Sequence, residues 1–486
     1  MSSHIVKTKI ICTIGPSVNT LEKMLSLIEA GMDVARLNFS HGTHLEHLNS
    51  IKLLKEAREK MGSPLAIMLD TKGPEIRLGK LKEGQISLVA GQNWKLSINE
   101  FEGDEHSVSV FPGTVLAQLD IGTRVLFDDG YIGSAVIEKL DDGVIVQISN
   151  SGSIRSGKGI NVPNTSLNLP ALTEKDIADI QFGCDNDIDM IAASFVRSAE
   201  HLLTIKQVLR EAKKPDVLVI AKIENHEGVH YFESILRASD GIMIARGDLG
   251  VEVPLSHVPR LQKMMIRQCY LSGKPVVTAT QMLESMILNP RPTRAETSDV
   301  ANAIYDSTSA VMLSGETAIG KYPIETVNMM RDIIEAAEVD FNYRTFFDQH
   351  SPLICQDVPS SVTLATVNTA YSCNAKAIFA LTQEGMTARL LSRLRPKMPI
   401  IALTTLKKIY HQLALNWGVI PFYSPVCDSV IEGYNLLSAF ALEHQLVEKG
   451  DLVVVTAGTP FGTSGTTNMM IVAKIGDLLV KGPPSF

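Results

Sequence analysis

The chain has 486 residues, of which 45% are hydrophobic and 20% charged, a composition that supplies buried cores and excludes disordered, collagenous and coiled-coil classes. At roughly 150 residues per domain, the length implies about three domains. Lys and Arg number 45 against 53 Asp and Glu, a formal net charge of −8, so the chain carries no overall basic footprint for nucleic acid or an anionic membrane. Its six cysteines, Cys12, Cys184, Cys269, Cys355, Cys373 and Cys427, include no Cys-x-x-Cys pair. That spacing signals neither a zinc site nor a disulfide framework, and favours a reducing compartment. No apolar run approaches the roughly 18 residues of a membrane span, and 10–14 is too short for a signal-peptide core. The expectation is a soluble, cytoplasmic protein with no nucleic-acid and no membrane partner.

In chain order, the pattern predicts a strand over 9–14, a helix over 21–30 ended by Gly31, a strand over 33–38, a helix over 44–60 and a strand over 65–69. The alternation then stops. From about 75 to 168, period-two segments and turn signals such as Pro112-Gly113, Asp128-Asp129-Gly130 and Asp141-Asp142-Gly143 predict an all-β module. At Thr173 the alternation resumes, with strands over 190–193, 217–223, 241–245, 275–279 and 310–313, each followed by a helical stretch. Three strands and then five are the pattern of an α/β (β/α)8 TIM barrel carrying the β module as an insertion. The period leaves room for a ninth unit. A polar, Pro-containing stretch over 350–361 reads as a boundary. Beyond it, strands over 376–381, 399–403, 419–422, 452–456 and 469–472 predict a C-terminal open α/β sheet. The expected domains are therefore 1–73 and 170–345 for the barrel, 74–169 for a small β-barrel lid, and 346–486 for the C-terminal unit.

Chemistry on such a barrel belongs at the carboxyl ends of the strands. Six of those ends are polar: Arg36 to Gly42, Asp70 to Arg77, Lys222 to Asn225, Arg246 to Asp248, Thr278 to Gln281, and Ser314 to Thr317. Lys222 and Glu224, two apart on a strand, point to one side and could share a ligand. One such pair alone would be read as a structural salt bridge. With Asp248 on the next strand, the set suits a Mg²⁺ that keeps positions open for substrate oxygens. Arg36 and Arg77 offer bidentate donors suited to phosphate, although either alone could be a solvated surface arginine. Asn38, Ser40, Asp70 and Thr71 are oxygen ligands with one formal charge, which suits a monovalent cation or plain backbone bracing. Gly247 is either a site for close anion approach or a turn glycine. His41 reads as a capping or core histidine, and Met282 and Met286 as helix packing. The residues alone reach a Mg²⁺-dependent enzyme acting on a small phosphorylated or carboxylated anion, with a β lid that excludes water.

At these positions the sequence resembles the pyruvate kinase family. The likeness rests on the run from Val219 to Val229 around Lys222, with Arg36 to Gly42, Asp70 to Arg77, Arg246 to Val251, Val277 to Met286, Met312 to Thr317 and the loop Gly462 to Asn468, all in order over nearly the full chain. The resemblance implies phosphoryl transfer from phosphoenolpyruvate to ADP, giving ATP and pyruvate, in a homotetramer. It implies catalytic roles for Lys222, Arg36 and Thr280. Substrate contacts would come from Arg36, Lys222, Gly247, Asp248 and Thr280, and nucleotide contacts from Asn38, Phe39, Ser40, His41 and Arg77. Glu224 and Asp248 would bind Mg²⁺; Asn38, Ser40, Asp70 and Thr71 would bind K⁺, on which the family's Glu at the position of Glu75 bears. Thr382, Gly385, Thr387, Gly462 and Gly465 would line an effector site. The chain departs from many relatives at Ser198, where a Lys is often found, and at Glu46, where a Tyr is. In the effector loop, Glu384 replaces a hydroxyl and Met386 a base, which predicts a weak response to fructose 1,6-bisphosphate. Rival readings are a Mg²⁺-dependent lyase or aldolase passing through pyruvate enolate, and a catalytically dead metabolite sensor.

Overall fold

A computed structural model describes residues 6–354, 357–463 and 465–477; Cys355 lies outside them. Eight parallel strands close into a barrel in strict chain order: Lys9–Thr13, Val34–Asn38, Ala66–Asp70, Met190–Ala193, Leu218–Ile223, Gly241–Ala245, Val276–Ala279 and Ala310–Leu313. No ninth strand joins this sheet among the described residues. The strands are short and apolar because both faces are covered, and nearly every residue in them is buried. Ile11, Val34, Met68, Ile220, Met243 and Met312 fill the barrel interior. Ile10, Ala35, Leu69, Ile191 and Ile242 face the surrounding helices. Thr20, Thr43, Thr173 and Thr293 cap the helices that begin at Leu21, His44, Glu174 and Arg294, the last three with reciprocal Glu or Asp partners.

The inserted segment forms a second closed barrel of seven strands, from Ile76–Leu78 to Gly159–Asn161, around Trp94 and Phe127. All its pairings are antiparallel except that of Asn93–Ser97 with Ser107–Phe111. The C-terminal sheet has five strands in the order Val419–Tyr423, Ile400–Thr404, Ala377–Leu381, Leu452–Gly458, Thr467–Lys474, with only the last antiparallel. The expected boundary at 350–361 is not a bare linker. Asp357 caps a helix over Val358–Ser372, with Pro359 in its first turn, so helix begins inside the polar stretch.

This last unit seats on the end of the barrel where the strands begin. Gln412 Nε2 donates to the carbonyls of Asp189 and Asp216, at 3.0 and 2.7 Å. Arg395 Nη2 donates to Ser307 O at 2.8 Å, and its guanidinium stacks over Trp417. Ala414 and Leu415 complete the apolar plug. The carboxyl ends of the strands, at the opposite mouth, are left to the lid. Among the described residues no helix is long and apolar enough to cross a membrane, and Cys12, Cys184, Cys269, Cys373 and Cys427 are free thiols.

Candidate active site

At that mouth the strand ends converge on Lys222. Its ammonium contacts Asp70 Oδ1 at 3.1 Å, Glu224 Oε1 at 2.9 Å and Ser194 Oγ at 2.8 Å. Burial alone lowers this lysine, but Asp70 and Glu224 more than offset it and hold it above its usual range. Asp70 is itself shared. Arg36 Nε donates to its other oxygen at 2.6 Å, and Arg36 Nη1 reaches Thr13 Oγ1 at 2.9 Å. Arg36 is therefore a buried arginine, not a solvated surface one. Burial raises the Asp70 carboxyl, and its two cations more than reverse that, leaving it below the usual carboxylate range.

Ser194, absent from the sequence-derived roles, is the hub of this network. Its hydroxyl accepts from Lys222 and lies 3.1 Å from Asp70 Oδ1 and 2.6 Å from Thr71 O, while its backbone N–H donates to Thr71 Oγ1 at 3.1 Å. The next residue, Phe195, has φ 53, a left-handed conformation costly for a side chain of this size. That turn aims its N–H at Glu224 Oε2, 2.5 Å away. Gly73 allows the turn to form: it has φ +73, and a Cβ there would lie 2.9 Å from the Phe195 ring and 3.0 Å from Ser194 Cβ.

Burial raises both the Glu224 and the Asp248 carboxyls; Lys222 opposes this in each, while the Asp248 charge raises Glu224 further. The pair is thus short of positive charge even beside Lys222. No group of three or more His, Cys, Asp or Glu forms a protein-only metal cage among the described residues. Two carboxylates at an open mouth are what Mg²⁺ accepts when substrate oxygens complete its shell.

The other expected residues are placed less uniformly. Asn38 pairs in register with Asp70, and its Oδ1 accepts from Ser40 N at 3.1 Å. Phe39 is buried with its ring stacked on His47, so its side chain serves the core and offers no surface to a nucleotide. His41 is exposed, its carbonyl held by His47. Arg77 is bound to Glu75 at 2.5 Å and to Gly157 O at 3.0 Å. Gly247 N donates to Thr280 Oγ1 at 2.8 Å. Gly247 has room around it, since a Cβ there would meet Thr280 only at ordinary contact distance. Thr280 and Gln281 have φ 67 and 54, and Arg246 secures that turn by donating to Ala279 O and Thr280 O, at 3.2 and 2.7 Å. Met282 and Met286 are buried as expected, but Met282 lies outside any helix and its sulfur faces Arg246. Ser198 caps the helix Ala199–Glu211, and Glu46 closes the cap of His44–Met61.

Between barrel and lid lies a cleft of about 1190 Å³, lined by His41, Arg77, Asp129, Lys158, Arg197 and Asp248 among others. A second pocket, in the C-terminal unit, is lined by Thr382, Thr387, Gly462 and Gly465. Thr387 and Thr467 hydroxyls meet at 2.7 Å in its wall. Gly385, expected in this set, is not in the lining; it caps the helix Met386–Ser392 with φ +80.

A parallel eight-stranded barrel whose strand ends gather a buried Lys, a buried Arg and a carboxylate pair defines an α/β-barrel enzyme built for small anions. The comparisons narrow this. Residues 5–327 match the model of the pyruvate kinase barrel domain, and 360–473 that of the pyruvate kinase alpha/beta domain. A pyruvate kinase from Geobacillus stearothermophilus is 45% identical over 478 residues, covering 98% of this chain and 81% of that protein. One from Clostridium acetobutylicum is 46% identical over 470 residues, covering 96% and 99%. A crystal structure of a pyruvate kinase from Cryptosporidium parvum superposes with a TM-score of 0.92 at 39% identity, over 96% of each chain. The chain belongs to the pyruvate kinase family, and is a phosphotransferase.

Proposed function

We propose that the buried Lys222 network and the cleft above it transfer the phosphoryl group of phosphoenolpyruvate to ADP. A β-phosphate oxygen of ADP bonds to the phosphorus, the bond from phosphorus to the enolate oxygen breaks, and the enolate takes a proton at its methylene carbon to become pyruvate. The observation that carries this reading is the position of Lys222. Its ammonium lies at the centre of three strand ends, within 3.1 Å of Asp70, Glu224 and Ser194.

A fixed cation there counters charge both on the group in flight and on the enolate left behind, the term that dominates such transfers. Arg36, buried and fixed by Asp70 and Thr13, presents its remaining donors to the phosphate. Glu224 and Asp248 would hold Mg²⁺, which when bound supplies charge to substrate oxygens. The backbone at Gly247 and Asp248, with Thr280, would hold the substrate carboxylate, and the Thr280 hydroxyl would organise the proton delivered to carbon, a reading supported by the Gly247–Thr280 contact. Asn38, Ser40, Asp70 and Thr71 would hold K⁺, an assignment supported by their oxygen-only donors at two paired strand ends. Asn38, Ser40, His41 and Arg77 would contact the nucleotide along the lid cleft. The lid, residues 74–169, excludes water. A cytoplasmic homotetramer with an effector site at the C-terminal pocket completes the reading.

The test is pyruvate formation from phosphoenolpyruvate with Mg²⁺ and K⁺. The reading expects strict dependence on ADP with one ATP per pyruvate. Pyruvate released at a comparable rate without nucleotide would overturn it in favour of a lyase.

A further inference from the structure

The loop that follows the second barrel strand carries Asn38, Ser40 and His41, yet two of its backbone carbonyls are held by residues with no part in the site described above. Lys175 Nζ donates to Phe39 O at 2.9 Å. His47 Nε2 lies 2.9 Å from His41 O. A carbonyl oxygen only accepts, so this imidazole nitrogen is the one that carries the proton.

Both donors are themselves braced. Lys175 and Asp179 stand one turn apart on the helix Glu174–Asp185 and meet at 2.6 Å. The Asp179 carboxylate is 1% exposed, and its other oxygen accepts from His44 Nε2 at 2.7 Å. The lysine is thus fixed at both ends of its reach, against Asp179 and against the loop. The His47 ring lies flat on the Phe39 ring, with centroids 3.9 Å apart and planes 11° from parallel. Gly42 turns the chain over that ring with φ +77, and a Cβ there would stand 3.4 Å from His47 Nε2.

These clamps act on one end of the site only. Arg36, at the strand end before the loop, is fixed separately by Asp70 and Thr13. A looser loop would therefore move the nucleotide contacts and leave the phosphate-facing arginine in place.

We propose that Lys175 and His47 are positioning residues for the transfer: by holding the carbonyls of Phe39 and His41 they present Asn38, Ser40 and His41 to ADP, an inference that rests on the nucleotide reading of this loop. Steady-state kinetics at saturating Mg²⁺ and K⁺, with ADP and phosphoenolpyruvate varied in turn, test it. Lys175→Met and His47→Phe should each raise the KM for ADP by about fivefold or more, the scale of a lost hydrogen bond. The KM for phosphoenolpyruvate should stay within about twofold and kcat within about threefold. His47→Phe keeps an aromatic ring but no donor, whereas His47→Gln keeps a donor and should recover part of the ADP KM. Calorimetric titration with ADP and Mg²⁺, without phosphoenolpyruvate, should show the same loss of affinity in the absence of turnover. Equal rises in both KM values, an ADP KM within about twofold of the unmutated chain, or His47→Gln no better than His47→Phe would each overturn the proposal. Hydrogen exchange on the unmutated chain is independent of variant folding: amides over 39–42 should be protected before ADP is added, and exchange at open-chain rates until it binds would refute a loop held in advance. Normal ADP binding with unaltered variants fails this inference alone; an unmutated chain that binds no ADP fails the nucleotide reading and this inference with it.

Discussion

Acidification should destabilise the barrel through His201. This imidazole sits in the first turn of the helix Ala199–Glu211, 4% exposed, with no hydrogen-bond partner for Nδ1. Burial, helped by the Arg197 charge and only partly opposed by Asp176, lowers its pKa to about 4. In the unfolded chain the group titrates near 6.5, so between those values the unfolded state binds the extra proton. Stability is complete above about pH 6.5, falls as pH drops through this window, and loses nothing more from this residue below about 4. At about 1.4 kcal/mol per pH unit, the interval corresponds to about 3 kcal/mol. Urea unfolding midpoints read at pH 7, 6, 5 and 4 supply the assay. Other groups titrate too, so the informative quantity is the difference between the unmutated chain and His201→Leu, which should lack this component. Parallel pH curves for the two proteins would refute the reasoning.

Ser194→Ala removes the hydroxyl shared by Lys222, Asp70 and Thr71. Hydrogen bonds to charged groups contribute about 1.5–3 kcal/mol, so kcat should fall tenfold to a hundredfold with the KM for phosphoenolpyruvate within about threefold, and Ser194→Thr should restore part of it. A selective rise in KM would contradict a positioning role. Full activity should require K⁺, and Glu75→Lys, which replaces the carboxylate now paired with Arg77 by an ammonium, should relax that need; full activity of the unmutated enzyme in K⁺-free Na⁺ buffer would refute it. Fructose 1,6-bisphosphate should bind the C-terminal pocket tenfold to a hundredfold more weakly than a loop with a hydroxyl and a base would allow, because Glu384 repels it and Met386 offers no charge. Micromolar calorimetric binding, abolished in Thr382→Val or Thr387→Val, would show otherwise.

Much of this was legible in the sequence because local rules and global fold agree. The eight short apolar runs lie within a residue or two of the barrel strands, since a buried parallel strand has to be apolar on both faces. Lys222 and Glu224 could be paired from spacing alone. What escaped was contact across distant strands. Ser194 drew no role, because its partners Asp70 and Thr71 lie over 120 positions away and meet it only once the fourth strand lies beside the third. Phe39 was grouped with its polar neighbours although its ring stacks inward on His47, a choice of face that a strand end does not announce.

The central claim is that Lys222 acts on charge that peaks during transfer. It is tested most directly by Lys222→Met in the lactate dehydrogenase-coupled assay, with Mg²⁺ and phosphoenolpyruvate binding measured alongside. Removing a cation that matters more in the transition state than in the ground state should leave both ligands bound within a few fold and lower turnover by orders of magnitude. A loss of turnover below about tenfold, roughly 1.4 kcal/mol, would contradict the account.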